Sequence, residues 1–252
     1  MLVFIIPLKS PQVAKSWEHV SRLFERTVKS VCRQTSPDFR VIVVCNEKPH
    51  IEFKHPYITY FEVDFPIPEP KRTARAEDKI RKISAGLIYA REFKPTHTMV
   101  VDADDCVSKH LAKFVNQNPK SNGWFLSRGY LYPNGSQFVY LKRQDFHQWC
   151  GTCSIIRYDL QGLPERTQYD CPDIKNLHCP HPWVVDQMIR QGTPIEPLPF
   201  AGAIYIVCHG DQDRNFENTI RPKEILPRLK KLLLNYRFLT RGICEEFGLY
   251  NI

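Results

Sequence analysis

Three carboxylates crowd into the four positions Asp102-Ala103-Asp104-Asp105, directly after the apolar run Met99-Val100-Val101. Like charges this close repel and raise one another's pKa unless a cation relieves them. Clustered hard oxygen atoms suit Mg²⁺ or Mn²⁺, with phosphate oxygens completing the shell. The plainer alternative is a solvated acidic turn, since Asp is a common turn former. Two other stretches also put polar groups just past an apolar run. Val41-Ile42-Val43-Val44-Cys45 leads into Asn46 and Glu47, and Leu2-Val3-Phe4-Ile5-Ile6 leads into Pro7 and Lys9. A further apolar run, Ile204–Cys208, ends in His209-Gly210, with Arg214 close behind. Imidazole can join carboxylates on Mn²⁺, and a guanidinium fork pairs with phosphate oxygens.

The elements that must position these groups are legible from pattern. β-Branched residues in the runs at 2–6, 39–45, 58–63 and 97–101 predict strands. Val20, Leu23, Phe24, Val28 and Val31 recur at helical spacing, predicting a helix over 16–32; Ile80, Ile83, Leu87 and Ala90 predict another over 76–93. Alternation of strand and helix predicts a doubly wound, mostly parallel α/β sheet with right-handed crossovers. Ligands of such sheets gather beyond the carboxyl ends of the strands, so three strands emptying onto one rim would build a nucleotide pocket. The second half is less regular. It predicts a short helix at 108–116, a hairpin of 124–132 with 137–141 around Pro133-Asn134-Gly135, strands at 153–157 and 204–208, a short helix at 184–191, and a basic amphipathic helix from Pro222 onward.

Composition bounds the function. The chain has 252 residues, 42% hydrophobic and 25% charged, which fits a folded domain rather than a disordered segment. A net charge of +8 favours anionic partners. The basic residues are scattered rather than gathered with aromatics, so nucleic acid is not expected. The nine cysteines lack the regular spacing of a disulfide scaffold, and the apolar start is too short for a secretory signal or a membrane span. A cytoplasmic location is the expectation.

The order of the parts resembles the GT-A glycosyltransferases, particularly the inverting family-2 type. Phe4-Ile5-Ile6-Pro7 matches their first strand ending in proline, and Ser30-Val31-Cys32-Arg33-Gln34-Thr35 matches the end of their first helix. Val43-Val44-Cys45-Asn46-Glu47 matches the second strand, and Asp102-Ala103-Asp104 matches the Asp-x-Asp signature. The likeness is good over roughly the first 110 residues and looser to about 215. It implies one GT-A domain over 1–220, with a nucleotide-binding half at 1–110 and a smaller, mixed acceptor-binding half at 111–220, followed by the basic helix at 221–252.

The activity implied is transfer of a sugar from a UDP-, dTDP- or GDP-sugar to a hydroxyl of a glycan, polysaccharide precursor or lipid-linked acceptor, with inversion. Pro7, Asn46, Glu47, Lys79, Asp102, Ala103 and Arg214 would face the nucleotide-sugar, with Arg81 an alternative to Lys79. Asp104 or Asp105, with His209, would hold Mn²⁺ or Mg²⁺. Gly151 and Thr152 would meet the acceptor, with Trp149 stacking on a sugar or filling core. Asp186 would be the base, although a valine precedes it where family members carry an acidic residue; Asp170 and Asp173 are rivals. The basic helix could rest on an anionic membrane or pack on the domain or a second subunit.

Other readings follow from the same residues. A GT-A-like domain that binds nucleotide or carbohydrate without turnover is the alternative. A phosphatase of the haloacid-dehalogenase type carries its Asp-x-Asp near the domain start. A nucleotidyltransferase needs a glycine-rich phosphate loop, and Pro7-Leu8-Lys9-Ser10-Pro11 has no glycine. Cys150, Cys153, Cys171, His178, Cys179 and His181 are ligands enough for a zinc ion, but in no zinc-finger spacing.

Overall fold

The computed structural model describes residues 1–163, 181–210 and 234–249. The first half alternates as the periodicity predicts: β1 (Leu2–Pro7), α1 (Trp17–Val31), β2 (Phe39–Cys45), β3 (Ile58–Glu62), α2 (Arg72–Tyr89), β4 (His97–Val100) and the short β5 (Cys106–Val107). There follow α3 (Leu111–Gln117), β6 (Gly123–Phe125), β7 (Gly129–Pro133), β8 (Phe138–Lys142), β9 (Ser154–Arg157), α4 (Val184–Arg190), β10 (Glu196–Pro197), β11 (Ala203–Val207), β12 (Tyr236–Phe238) and α5 (Arg241–Phe247).

The expected mostly parallel α/β sheet is present. Seven strands run in the order β10-β6-β9-β4-β1-β2-β3, and β9 alone is antiparallel to its neighbours. β1 is buried at every position, as a central parallel strand with both faces covered must be. One face packs on α1 through Val20, Phe24, Val28 and Val31; the other packs on α2 through Ile83, Ala85 and Leu87. The Ser16 hydroxyl caps α1 by accepting the His19 N–H. A second sheet of five strands runs β12-β8-β7-β11-β5. It holds the predicted hairpin, now β7 with β8.

The main sheet takes β6, β9 and β10 from beyond residue 110. Two expectations need correction. The stretch 124–132 is two strands in two sheets, because β6 pairs with β9 while β7 pairs with β11 and β8. Within the expected basic helix at 221–252, residues 221–233 and 250–252 lie outside the described set. Tyr236–Phe238 is a strand on β8, followed by the short helix α5. Phe247 and Leu249 are buried against Cys106, Tyr132 and Ile204, so this stretch completes the second sheet's core. No helix among the described residues is long and apolar enough to cross a membrane.

One buried polar residue sets an acid limit. His97 is fully buried, its Nε2 bonded to the Ser121 carbonyl at 2.9 Å and its ring 5.2 Å from Trp124. Burial, outweighing the Ser121 bond, holds its pKa below the usual 6.5. The unfolded chain therefore binds more protons just below pH 6.5, and stability falls as pH drops through that window, by up to about 1.4 kcal/mol per pH unit. Urea denaturation at pH 7 and pH 5.5 should show a smaller loss for His97→Gln than for wild type; equal losses would contradict this assignment.

Candidate functional site

The carboxyl ends of β1 and β4 open onto a cleft of about 370 Å³. Its floor is Asp102, Ala103 and Asp104. One wall is the basic face of α2, where Arg72, Arg75, Ala76 and Lys79 follow at helical spacing, joined by Lys9 from the loop after β1. The other side is more apolar: Pro7, Val20, Leu23, Trp149, Gly151 and Tyr205.

The three carboxylates have three different environments. Asp102 is paired with Lys79, Nζ to Oδ1 at 2.5 Å. Burial would lower the Lys79 pKa, but the charge and hydrogen bond of Asp102 raise it overall, so the ammonium is held charged. Asp104 is one-third exposed to the cleft, and its Oδ2 lies 3.0 Å from Nε2 of His209, whose ring is almost completely buried. Burial raises the Asp104 pKa, but the His209 bond and charge, followed by Lys79 and Lys9, hold it below the usual carboxylate range. Asp105 turns inward and is fully buried. Its Oδ2 accepts from Thr152 Oγ1 at 2.6 Å and Cys150 Sγ at 3.1 Å, and its Oδ1 accepts the Ile206 N–H at 3.3 Å. Burial, then the charges of Asp104 and Asp102, push its pKa well up. Asp105 is therefore no cleft ligand, which corrects that expectation: its lone pairs are spent on the interior.

Several expected site residues are placed elsewhere. Asn46 donates through Nδ2 to the Val63 and Phe65 carbonyls, closing the loop after β3, and Glu47 is exposed outside the cleft lining. Thr152 is fully buried, accepting the Asp102 N–H at 2.9 Å, so it holds the acidic loop and does not face an acceptor. Arg81 lies over the Phe65 ring, leaving Lys79 as the member of that pair in the cleft. Asp186 is exposed in the first turn of α4 and is not among the described cleft-lining residues. The turn His181–Trp183 that precedes α4 does pack on the turn Phe146–Gln148, next to Trp149 on the rim. Trp149 is partly exposed there beneath Lys142. Arg214, Asp170, Asp173, Cys171, His178 and Cys179 lie outside the described residues. Cys150 and Cys153 are buried, and among the described residues no three His, Cys, Asp or Glu side chains form a ready-made metal cage.

Sequence reasoning missed Arg72, Arg75, Lys82, His19 and Arg26. Lys82 is buried and donates to the Leu8 carbonyl and to Asp78 Oδ2, fixing the loop after β1 to α2. His19 Nε2 lies 2.7 Å from the His209 carbonyl. Arg26 reaches both the Asp104 carbonyl and Asn134 Oδ1.

Gly151 shows how tightly the floor is built. A Cβ there would meet Asp102 Oδ2 at 2.5 Å. Gly151→Ala should push the Asp102 carboxylate off Lys79. Stability should change little, since the displaced atom is a side-chain tip. A crystal structure of the variant with a melting curve checks both, and an Asp102–Lys79 pair left in place would contradict the close packing.

No family model matches the chain, and no curated protein matches it. Solved structures similar to it include Staphylococcus aureus TarS, at 12% identity and TM-score 0.45, covering 82% of this chain and 36% of that one. The 1–349 portion of TarS in complex with UDP is 12% identical with TM-score 0.42, covering 82% of this chain and 60% of that one. Francisella tularensis 2-C-methyl-D-erythritol 4-phosphate cytidylyltransferase (IspD) is 13% identical with TM-score 0.38, covering 92% and 99%. The chain thus spans between about a third and three fifths of the TarS chains it matches. These likenesses are distant, and no residue's role is taken from them. The fold and site themselves define an α/β protein with an acidic-floored, basic-walled cleft at its parallel strand ends.

Proposed function

We propose that the protein is a glycosyltransferase that moves a sugar from a nucleotide-sugar donor to an acceptor hydroxyl, with inversion and with Mn²⁺ or Mg²⁺. The observation that carries this reading is the meeting of Asp104 Oδ2 and His209 Nε2, 3.0 Å apart, at the cleft beside the Lys79–Asp102 pair. The donor set fits the ion: one ionised carboxylate and one imidazole nitrogen, with cations close by for phosphate oxygens. Asp104 and His209 would hold the metal, which when bound supplies Lewis-acid stabilisation of the departing diphosphate.

The chain's own residues do the rest. Lys79, Arg75 and Arg72 place fixed positive charge where phosphate charge accumulates as the donor bond breaks. Asp102, tethered by Lys79 and by Thr152 through its N–H, keeps a fixed acceptor at the strand end for the nucleotide. Trp149 offers a partly exposed indole at the rim for a sugar ring. Asp186, on the helix joined to that rim, is the carboxylate proposed to take the proton of the attacking hydroxyl, the base that inversion requires. The second reading, a binding domain without turnover, is favoured by one observation: Asp186 does not line the cleft.

A thermal-shift screen of UDP-, dTDP- and GDP-sugars with Mn²⁺ tests the proposal. A donor at 100 times its Kd stabilises by about 2.7 kcal/mol, or roughly 5–10 °C for a chain of this size. A shift together with Mn²⁺-dependent donor hydrolysis supports the transferase. A shift without hydrolysis or transfer supports the binding domain, and no shift with any donor counts against both.

A further inference from the structure

We infer that Asp105 and Thr152 form a positioning node that sets the spacing of Asp104 and His209; the inference rests on the metal reading of the cleft proposed above. Asp105 follows Asp104 directly in the chain, so its anchoring fixes the backbone that carries Asp104. Its Oδ1 accepts the Ile206 N–H at 3.3 Å. Ile206 belongs to β11, the strand that delivers His209 three residues later. One carboxyl group therefore ties the acidic loop to the histidine-bearing strand, across 101 positions of sequence. Its Oδ2 reaches the third segment, accepting from Thr152 Oγ1 at 2.6 Å and from Cys150 Sγ at 3.1 Å.

Thr152 is the other half of the node. Its hydroxyl donates to Asp105 and accepts the Asp102 N–H at 2.9 Å, so both ends of the acidic loop hang from one oxygen. The neighbouring Gly151 lies against the Asp102 carboxylate. Asp105, Thr152 and Cys150 are all buried to within 1% exposure, so water does not compete for these bonds. The backbone pairing of β11 with β5 brings Ile204 opposite Cys106, which adds a second, side-chain-independent tie between the same two segments. That pairing keeps the fold together when the node is cut, while the fine spacing of Asp104 and His209 depends on the carboxyl and the hydroxyl.

Partners that orient metal ligands from behind change metal affinity by 10- to 100-fold when removed. The test measures Mn²⁺ affinity in the presence of UDP, by the loss of the free-ion electron paramagnetic resonance signal. Thr152→Val keeps the shape and removes both bonds; it should weaken Mn²⁺ binding about 10- to 100-fold. Thr152→Ser, which keeps the hydroxyl, should bind as wild type does. Asp104→Asn serves as the ligand control and should bind little Mn²⁺. If Asp104→Asn loses the ion while Thr152→Val binds as wild type, the positioning role is overturned and the metal reading stands. If wild type itself takes up no Mn²⁺ with UDP, the metal reading fails and the node's role falls with it. Should Thr152→Val not fold by circular dichroism, Thr152→Ala, which leaves space instead of a methyl group, carries the same comparison with the same outcomes.

Discussion

Replacing Asp104 by asparagine is expected to lower Mn²⁺-dependent donor turnover by about 10²- to 10³-fold, the several kcal/mol that metal stabilisation of a leaving group supplies. The fold should survive. Asp104 is one-third exposed at the cleft, its side chain is tied to His209 among the described residues, and asparagine can keep a hydrogen bond there. What the substitution removes is charge. Asp104 is held ionised by His209, Lys79 and Lys9 against the effect of burial. An amide oxygen is a far weaker ligand for a hard divalent ion. Initial rates across a Mn²⁺ titration, beside a melting curve, separate the effects: the melting temperature should hold within a few degrees while the rate collapses at all Mn²⁺ concentrations. A variant as fast as wild type would remove Asp104 from the mechanism.

The largest effect on stability is expected at Gly123, the first residue of β6. Its φ is +137°, a conformation that side-chain-bearing residues rarely adopt. An added Cβ would also lie 2.1 Å from the Ile155 carbonyl oxygen and 3.0 Å from Ile156 Cα. Both are backbone atoms of β9, the strand that links β6 to β4. They cannot swing aside as a side-chain tip can. Gly123→Ala combines backbone strain with a clash inside a sheet ladder, and at least about 3 kcal/mol of destabilisation is expected. That is a large part of the 5–15 kcal/mol typical of a folded domain. Urea denaturation followed by circular dichroism measures it; a loss under about 1 kcal/mol, an ordinary point-mutant value, would contradict the close approach of the two strands.

The sequence carried the first half of the fold because its signals there are local. β1, α1, β2 and β3 fall within a residue or two of the apolar runs that announce them. α2 begins at Arg72, four residues before the start at 76 that its apolar stripe predicts, and its first turn, Arg-Thr-Ala-Arg, carries no apolar position larger than alanine and no capping side chain. That early start is why Arg72 and Arg75 were invisible as cleft residues: periodicity finds a helix by its buried face, and theirs is the basic one. The split of 124–132 between two sheets was equally hidden, since strand partners are chosen by tertiary packing and not by the run itself.

The site was legible in part. Asp102 and Asp104 stand at a strand end as the apolar run before them implies, and His209 lies against Asp104 from 105 positions away. Asp105 shows the limit. Adjacent carboxylates look alike in a sequence, but Asp102–Asp105 closes into a turn, with the Asp105 N–H on the Asp102 carbonyl, that leaves Asp104 at the cleft and turns Asp105 into the core. Asn46 shows another: an amide past a strand end serves a loop as readily as a ligand, and here it bonds two carbonyls of the loop after β3.

On the function proposed, the cleft is a metal-dependent site for a nucleoside diphosphate. Calorimetric titration of UDP, dTDP and GDP into the wild-type protein, with Mn²⁺ and then with excess EDTA, tests it most directly. At least one of the three is expected to bind with Mn²⁺ and to be released by EDTA, and Asp104→Asn is expected to bind it no better with the metal than without. Failure of all three to bind, or binding that neither EDTA nor the substitution alters, would contradict it.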